Sequence, residues 1–597
     1  MNEQKQTWSA AVAAMQAFAP FYQEGTRRVL QNSGVANDWF ALYLARSAEP
    51  EPFTLPRFQA ISPYNDRSQQ AGALARLAEK GMLVAISEDA YRLTEAGRSV
   101  AASFFQAAHE GLATVEPLPA ADMARLNMLL RRIVEATLSS PEPQPQYALC
   151  GSRWTDPGAD GAPAAIADQY ITDLYYYRDD AHLASWRPYD VSGHAWEALT
   201  LIWRDQAGTA AELAESLPNR GHTAERYAEA LQQLATRGWL EEVDGRYCLT
   251  AEARQVREAA EAETDRYFYI GWSALSQVEV VELGHLLSRL GDNLQQAALK
   301  RLWPLANSVS QAISVVTRAP VNPILAQHFS DGRLFPVTQW ARGIAPEPLA
   351  AGHFSRRYPY INPHTVNDRL NQASEAGLLK RQGDGNFTVS ERGQLAIDSA
   401  NDVFYRYLTD LDTLPAEDLE TLANLLDRVV HTSLEAAEPG DKWALANIHR
   451  FHPDVAYGPL ARIDQHLDDL NAFRDDAHLA AWQPYEIDGR SWETFTFAWR
   501  GEAQTAEELA QKLPNRGYSA GDYAASLAEL VERGWLAEVD GRYRPTEEGQ
   551  QLRQAVEEAT DHYFYAPWAG LDQNDQARLR HLLIQLKLKL EQLAETE

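Results

Sequence analysis

At 597 residues the chain is too long for a single hydrophobic core, and about three to five domains are expected. Its 45% hydrophobic and 10% aromatic content excludes global disorder, while the two distant cysteines, Cys150 and Cys248, exclude a disulfide scaffold and make no metal pattern. A formal net charge of −29 speaks against a surface that grips nucleic acid everywhere, and favours basic partners unless positive side chains gather locally.

The N-terminus, MNEQKQTWSAAVAAMQAFAP, has no basic stretch ahead of a long apolar run, so no secretory signal is expected. No segment approaches about 18 uninterrupted apolar residues, so a cytoplasmic protein without membrane contact is expected. Residues 73–98, ALARLAEKGMLVAISEDAYRLTEAGR, give the first local pattern. A helix ends at a glycine, an apolar strand, a turn and a second strand follow, and Thr94 opens the next helix. Residues 118–138 then place leucines at three- and four-residue spacing, which predicts an amphipathic helix. Polar stretches with Pro or Gly, at 139–145, 151–163 and 435–441, read as linkers.

Residues 178–186, RDDAHLASW, put two carboxylates and an imidazole within a few positions, a candidate metal set. Asp180 and His182 are two apart, however, so on a helix they face different ways. The pattern therefore reads as a charged helix segment with Trp186 packed inward. Residues 219–247, NRGHTAERYAEALQQLATRGWLEEVDGRY, form the clearest unit of the chain. Tyr227, Leu231 and Leu234 share one helical stripe, Gly238 ends the helix, and Asp244-Gly245 between two short strands predicts a tight hairpin. This is a recognition helix followed by a wing.

The same unit returns at a constant shift of 296 residues. Arg178–Tyr247 align with Arg474–Tyr543 without a gap, and 42 of the 70 positions are identical, so the chain is a duplication. Each half holds two weaker copies of the helix–hairpin–cap theme, with Thr94, Thr250, Ser390 and Thr546 as the four caps.

This fourfold order resembles MarR-type winged-helix regulators. The order is a helix-turn-helix, a two-stranded wing, a Thr or Ser cap, a long helix and a leucine-rich last helix. The resemblance implies a mainly α fold with small β-hairpin wings, and four winged-helix domains at 1–142, 143–296, 297–438 and 439–597. They would be arranged as two fused MarR-like pseudo-dimers whose paired recognition helices enter successive major grooves.

Basic and amide side chains near the predicted recognition helices are the candidate DNA contacts. In the first segment these are Arg57, Asn65, Arg67, Gln69 and Gln70; in the second, Arg220, His222, Thr223 and Arg226. The third offers Arg356, Arg357, His364, Thr365, Asn367 and Arg369, and the fourth only Arg516, Tyr518 and Ser519. The wings carry Arg246 and Arg542, in hairpins shorter than the family's; the other two read Asp89-Ala90-Tyr91 and Asp384-Gly385-Asn386, without arginine. Dense aromatics, Trp186, Tyr267, Tyr269 and Trp272 with Trp482, Tyr563, Tyr565 and Trp568, read as core packing or as a pocket for an aromatic small-molecule effector. No enzyme motif, metal site or cofactor signature is present. The expectation is a DNA-binding transcriptional regulator with double-stranded DNA as partner. The alternatives are an acidic scaffold or DNA mimic for a basic protein, and a small-molecule sensor without DNA contact.

Overall fold

The structure is a computed structural model that describes residues 2–383 and 385–596. The chain divides into two compact units, Met1–Ala298 and Leu299–Glu597. Asp384, which the third wing was read to include, lies outside the described residues.

In the first unit the helices are α1 (Asn2–Ser33), α2 (Trp39–Ser47), α3 (Leu55–Ile61), α4 (Arg67–Glu79), α5 (Glu95–Leu112), α6 (Ala120–Leu138) and α7 (Tyr147–Ser152). They continue as α8 (Pro163–Trp186), α9 (Gly193–Trp203), α10 (Ala210–Ser216), α11 (Ala224–Thr236), α12 (Ala251–Phe268) and α13 (Gln277–Lys300). Strands β1 (Phe53–Thr54), β2 (Leu83–Ser87) and β3 (Ala90–Leu93) form one antiparallel sheet in the order β1-β3-β2. Strands β4 (Leu240–Val243) and β5 (Arg246–Leu249) form a two-stranded wing.

The sequence signals act as expected. Gly81, Gly238, Gly377 and Gly534 all take positive φ where the four helices stop. Each of the four cap hydroxyls accepts the backbone N–H three residues on, at 3.0–3.2 Å. Val243 pairs with Arg246 across Asp244-Gly245, whose φ values of 51° and 76° are those of a type I′ hairpin turn.

Three apolar cores hold the first unit. The helical base buries Phe18 of α1, Leu126 and Leu130 of α6, Leu174 and Tyr177 of α8, and Leu283 and Leu287 of α13. One winged-helix lobe closes over Leu42, Phe53, Leu74 and Leu77, and the other over Trp196, Tyr227, Leu231 and Trp239. Helix α8 runs from the base into the second lobe, so it carries side chains to both. The second unit repeats the plan with its own base core and two lobe cores.

One buried charge anchors the second lobe of each unit. Arg257 of α12 is fully buried, with its guanidinium carbon 4.6 Å from the Trp196 ring and 4.9 Å from the Trp203 ring. Its one ion pair is to Glu261 at 2.6 Å. Arg553 does the same between Trp492 and Trp499, paired with Glu557 at 2.7 Å. A flat, weakly hydrated guanidinium tolerates two aromatic faces, whereas an ammonium keeps too much of its hydration. Arg257→Ala is expected to lower the unfolding free energy by about 3 kcal/mol in urea titration, and Arg257→Lys to recover little of it.

Candidate functional site

Helices α4 and α11 occupy the positions read from the sequence as recognition helices, each followed by its hairpin. Two such helices reading successive major grooves must start roughly one DNA turn, about 34 Å, apart. The structure corrects that expectation. The Asp66 N–H, at the cap of α4, donates to the Arg220 carbonyl at 2.8 Å, just ahead of α11. The His222 imidazole lies 3.0 Å from the Tyr64 carbonyl and is almost fully buried. The Asn65 amide reaches the Asn219 carbonyl at 3.4 Å. Gly193, opening α9, touches the same turn: a Cβ there would sit 2.2 Å from the Pro63 carbonyl oxygen. The two helix starts are therefore clasped together.

The second unit has the same clasp. It opens with α14 (Leu302–Val316), a helix of the base, followed by α15 (Arg318–His328), α16 (Leu334–Gly343), α17 (Ala351–Arg357), α18 (Pro363–Glu375), β6 (Leu379–Gly383), β7 (Asn386–Val389) and α19 (Glu391–Asp410). The remainder is α20 (Ala416–Glu435), α21 (Trp443–Ile448), α22 (Gly458–Trp482), α23 (Gly489–Trp499), α24 (Ala506–Lys512), α25 (Ala520–Glu532), β8 (Leu536–Val539), β9 (Arg542–Pro545), α26 (Glu547–Tyr565) and α27 (Gln573–Thr596). The Asn362 N–H donates to the Arg516 carbonyl at 2.8 Å, and the Asn362 amide to the Gly517 carbonyl at 3.0 Å. Arg369 reaches the Asn515 carbonyl at 3.3 Å, and Thr365 crowds Gly517.

Most side chains expected to read DNA are engaged within the chain. Gln70 is buried and donates to the Ser62 carbonyl at 2.8 Å, and Arg57 lies over the Tyr147 ring. Arg67 bridges Gln59 and Asp89. Arg220 forks onto Glu197, and Arg516 onto Glu493. Arg356 pairs with Asp441, and buried Arg357 with Asp475. The wing arginines fold back, Arg246 onto Glu212 and Arg542 onto Glu508. Thr223 and Ser519 cap their helices, and Tyr518 stacks under Arg490. Gln69, Arg226 and His364 are exposed and Asn367 half-exposed, although Gln69 accepts from the Asn65 amide at 3.4 Å and Arg226 pairs with Glu229 at 2.8 Å.

Behind the first clasp lies a cavity of about 370 Å3. Its walls come from α2 and α3 on one side, α9 on the other, and α7 and α8 at the back. Phe40, Tyr43, Tyr64, Tyr147, Tyr176 and Trp196 supply aromatic faces, and Asp179, His182, Glu197, Arg204 and Arg220 the polar groups. None of the eight aromatics read as pocket residues lines it. Trp186 stacks on Trp196 from behind at 5.6 Å, and Trp482 on Trp492 at the same distance. Trp272 and Trp568 are buried in the helical bases, with Tyr267, Tyr269, Tyr563 and Tyr565 packed beside them.

The RDDAH segment explains the cavity's chemistry. Asp180 turns away and accepts the Ala148 and Leu149 N–H groups at 3.0 and 2.9 Å, capping α7. His182 faces Arg257, Arg178 and Arg204, and burial lowers its pKa to about 4, so the ring stays neutral. Asp179 exposes its carboxylate, and that face looks into the cavity. The surrounding protein desolvates it and, with Asp180 adjacent, raises its pKa to about 7. Among the described residues no group of three or more His, Cys, Asp or Glu is placed to hold a metal ion. No helix is long and apolar enough to cross a membrane.

The second unit's histidine gives a pH prediction. His478 accepts from the Trp492 indole at 3.3 Å and lies 3.2 Å from Thr560; burial lowers its pKa to about 3. The unfolded chain therefore takes up a proton below about pH 6.5 that the folded chain refuses, so stability falls as pH drops. At pH 5 this residue alone costs up to about 2 kcal/mol. Asp476, raised to about 7, acts in the opposite direction. His478→Asn is expected to narrow the fall in Tm between pH 7 and pH 5 by a few degrees, read by differential scanning calorimetry.

No curated protein and no solved structure matches the chain. The model of a helix-turn-helix family matches twice, over residues 100–301 and 388–592. Each match runs through the helical base and the second lobe, whereas α4 and α18 of the first lobes precede it. Such a match suggests a DNA-binding regulator in general terms. With more than half of its residues inside the two matches, the chain belongs to this helix-turn-helix family, in two tandem copies.

Proposed function

We propose that the chain is a MarR-like, effector-responsive DNA-binding transcriptional regulator, and that the clasped arrangement is its closed form. The observation that supports this reading is that cavity and clasp share residues. Tyr64 lines the cavity, and its carbonyl holds His222. Arg220 lines it too, and its carbonyl holds the cap of α4. A molecule entering the cavity touches side chains whose backbones form the clasp, so its binding energy differs between clasped and open forms. That difference is what shifts a conformational equilibrium. In the open form Gln69, Arg226, His364 and Asn367 would be joined at the DNA surface by Asn65, Thr365 and Arg369, released from the opposing turn.

A sensor without DNA contact is the second reading. It is favoured by the arginines already neutralised inside the chain, by Glu197, Asp475 and Glu212 among others. Duplex binding separates the two. Fluorescence anisotropy with a labelled 30-base-pair random duplex would compare the native chain with a Gly193→Ala/Gly489→Ala double variant, in which added methyl groups push the turns apart. The double variant is expected to bind about tenfold or more tighter at low salt, and both to weaken steeply as salt rises. If neither folded protein binds duplex at low salt, the DNA reading fails and the sensor reading stands.

A further inference from the structure

The duplication supplies an internal comparison for the cavity. At the shift of 296 residues Asp179 corresponds to Asp475, His182 to His478, Trp196 to Trp492 and the Glu197–Arg220 pair to Glu493–Arg516. Asp180 and Asp476 cap corresponding helices in the same way. Position 61 differs. Ile61 lines the first unit's cavity, and its counterpart is Arg357. Arg357 is buried, its Nε donates to Asp475 at 2.8 Å, and its guanidinium lies 5.1 Å from the Tyr358 ring. The second unit thus fills the space beside its aspartate with a guanidinium on an aromatic face.

The first unit has the same carboxylate with no cation hydrogen-bonded or ion-paired to it among the described residues; Arg178 acts on it only at a distance. Asp179 makes no hydrogen bond or ion pair with any other described residue, and desolvation by the cavity walls together with Asp180 disfavours its charge. Of the cavity's two arginines, Arg220 is forked onto Glu197, and Arg204 stands by His182. Tyr43, Tyr176 and Tyr147 stand where the second unit has Gln339, Ala472 and Trp443. Stacked aromatic faces around an unpaired carboxylate are what a planar cation needs.

We propose that the first unit's cavity binds a small guanidinium- or amidinium-bearing molecule. Its cationic head takes the place that Arg357 fills in the second unit and pairs with Asp179. In the second unit Arg357 already holds that place against Asp475, so no cation binds there, although a cavity of about 450 Å3 lined by Gln339, Arg357 and Arg516 among others remains beside it. The inference rests on the reading of this cavity as an effector site. It names the chemical class that the site recognises.

Isothermal titration of the full chain with benzamidine, and with its neutral isostere benzamide, tests it. Benzamidine is expected to bind at one site per chain and benzamide not to bind. Asp179→Asn should weaken benzamidine roughly ten- to hundredfold, the usual range for losing one charged hydrogen-bonded partner. Ile61→Arg, which imports the second unit's plug, should abolish binding while leaving the circular dichroism spectrum native. Arg357→Ile should raise the stoichiometry to two, and benzamidine should restore the Tm that this variant loses. Equal binding of benzamide and benzamidine, or an unchanged affinity in Asp179→Asn, overturns the cation assignment and leaves the cavity as a site for neutral aromatics. Absence of binding by either probe also overturns it, while the duplex-binding comparison above is unaffected.

Discussion

One backbone hydrogen bond, made twice, constrains everything the molecule can do. In each unit the residue that caps the first recognition helix donates its N–H to the carbonyl just ahead of the second. Around that bond the turns are packed so closely that Gly193 and Gly489 have no room for a methyl group. A pair of winged helices is usually read as two reading heads held apart. Here the heads meet, and each unit keeps a cavity beside the join, about 370 Å3 in the first and about 450 Å3 in the second.

The duplicated RDDAH segment shows how one short stretch serves several ends. Helical geometry sends its neighbours in different directions, so Asp180 caps α7, Trp186 packs against Trp196, and Asp179 opens onto the cavity. Asp179 and Asp180 differ in partners. Asp180 is satisfied by two backbone N–H groups, and Asp179 by nothing in its own half. A carboxylate facing a partly desolvated cavity is held best where something neutralises it. The second unit answers that need with Arg357, and the lobes of both units answer the converse need of a buried arginine with paired tryptophans and a glutamate.

Much of the fold was legible in the residues. Four glycines that must be left-handed, four hydroxyl caps and the Asp-Gly turns carry local rules that tertiary context did not override. The helical base was visible in the leucine spacing of residues 118–138, which fold as Ala120–Leu138 on Pro119. The clasp was not visible, because it is a contact between two stretches about 150 residues apart made largely by backbone groups, which carry no side-chain signature. For the same reason nothing in the sequence marked Asn65, Arg220 and His222, read there as DNA contacts, as members of this join as well. The cavity was missed for another reason. Its aromatics, Tyr43, Tyr64, Tyr147 and Tyr176, are scattered along the chain, whereas the clustered aromatics that drew attention pack in the cores. The one local clue was an aspartate inside RDDAH whose neighbour in sequence had better company.

Duplication ordinarily leaves two equal copies, and divergence then proceeds by many small steps. Several cavity positions have diverged here, Tyr43 to Gln339 and Tyr176 to Ala472 among them, but the exchange between Ile61 and Arg357 is the one that adds a charge beside the shared aspartate. A side chain that arrives with its own positive charge answers the carboxylate beside it without needing a visitor. One half of the polypeptide therefore carries a settled charge where its sibling leaves the same carboxylate without a partner among the described residues.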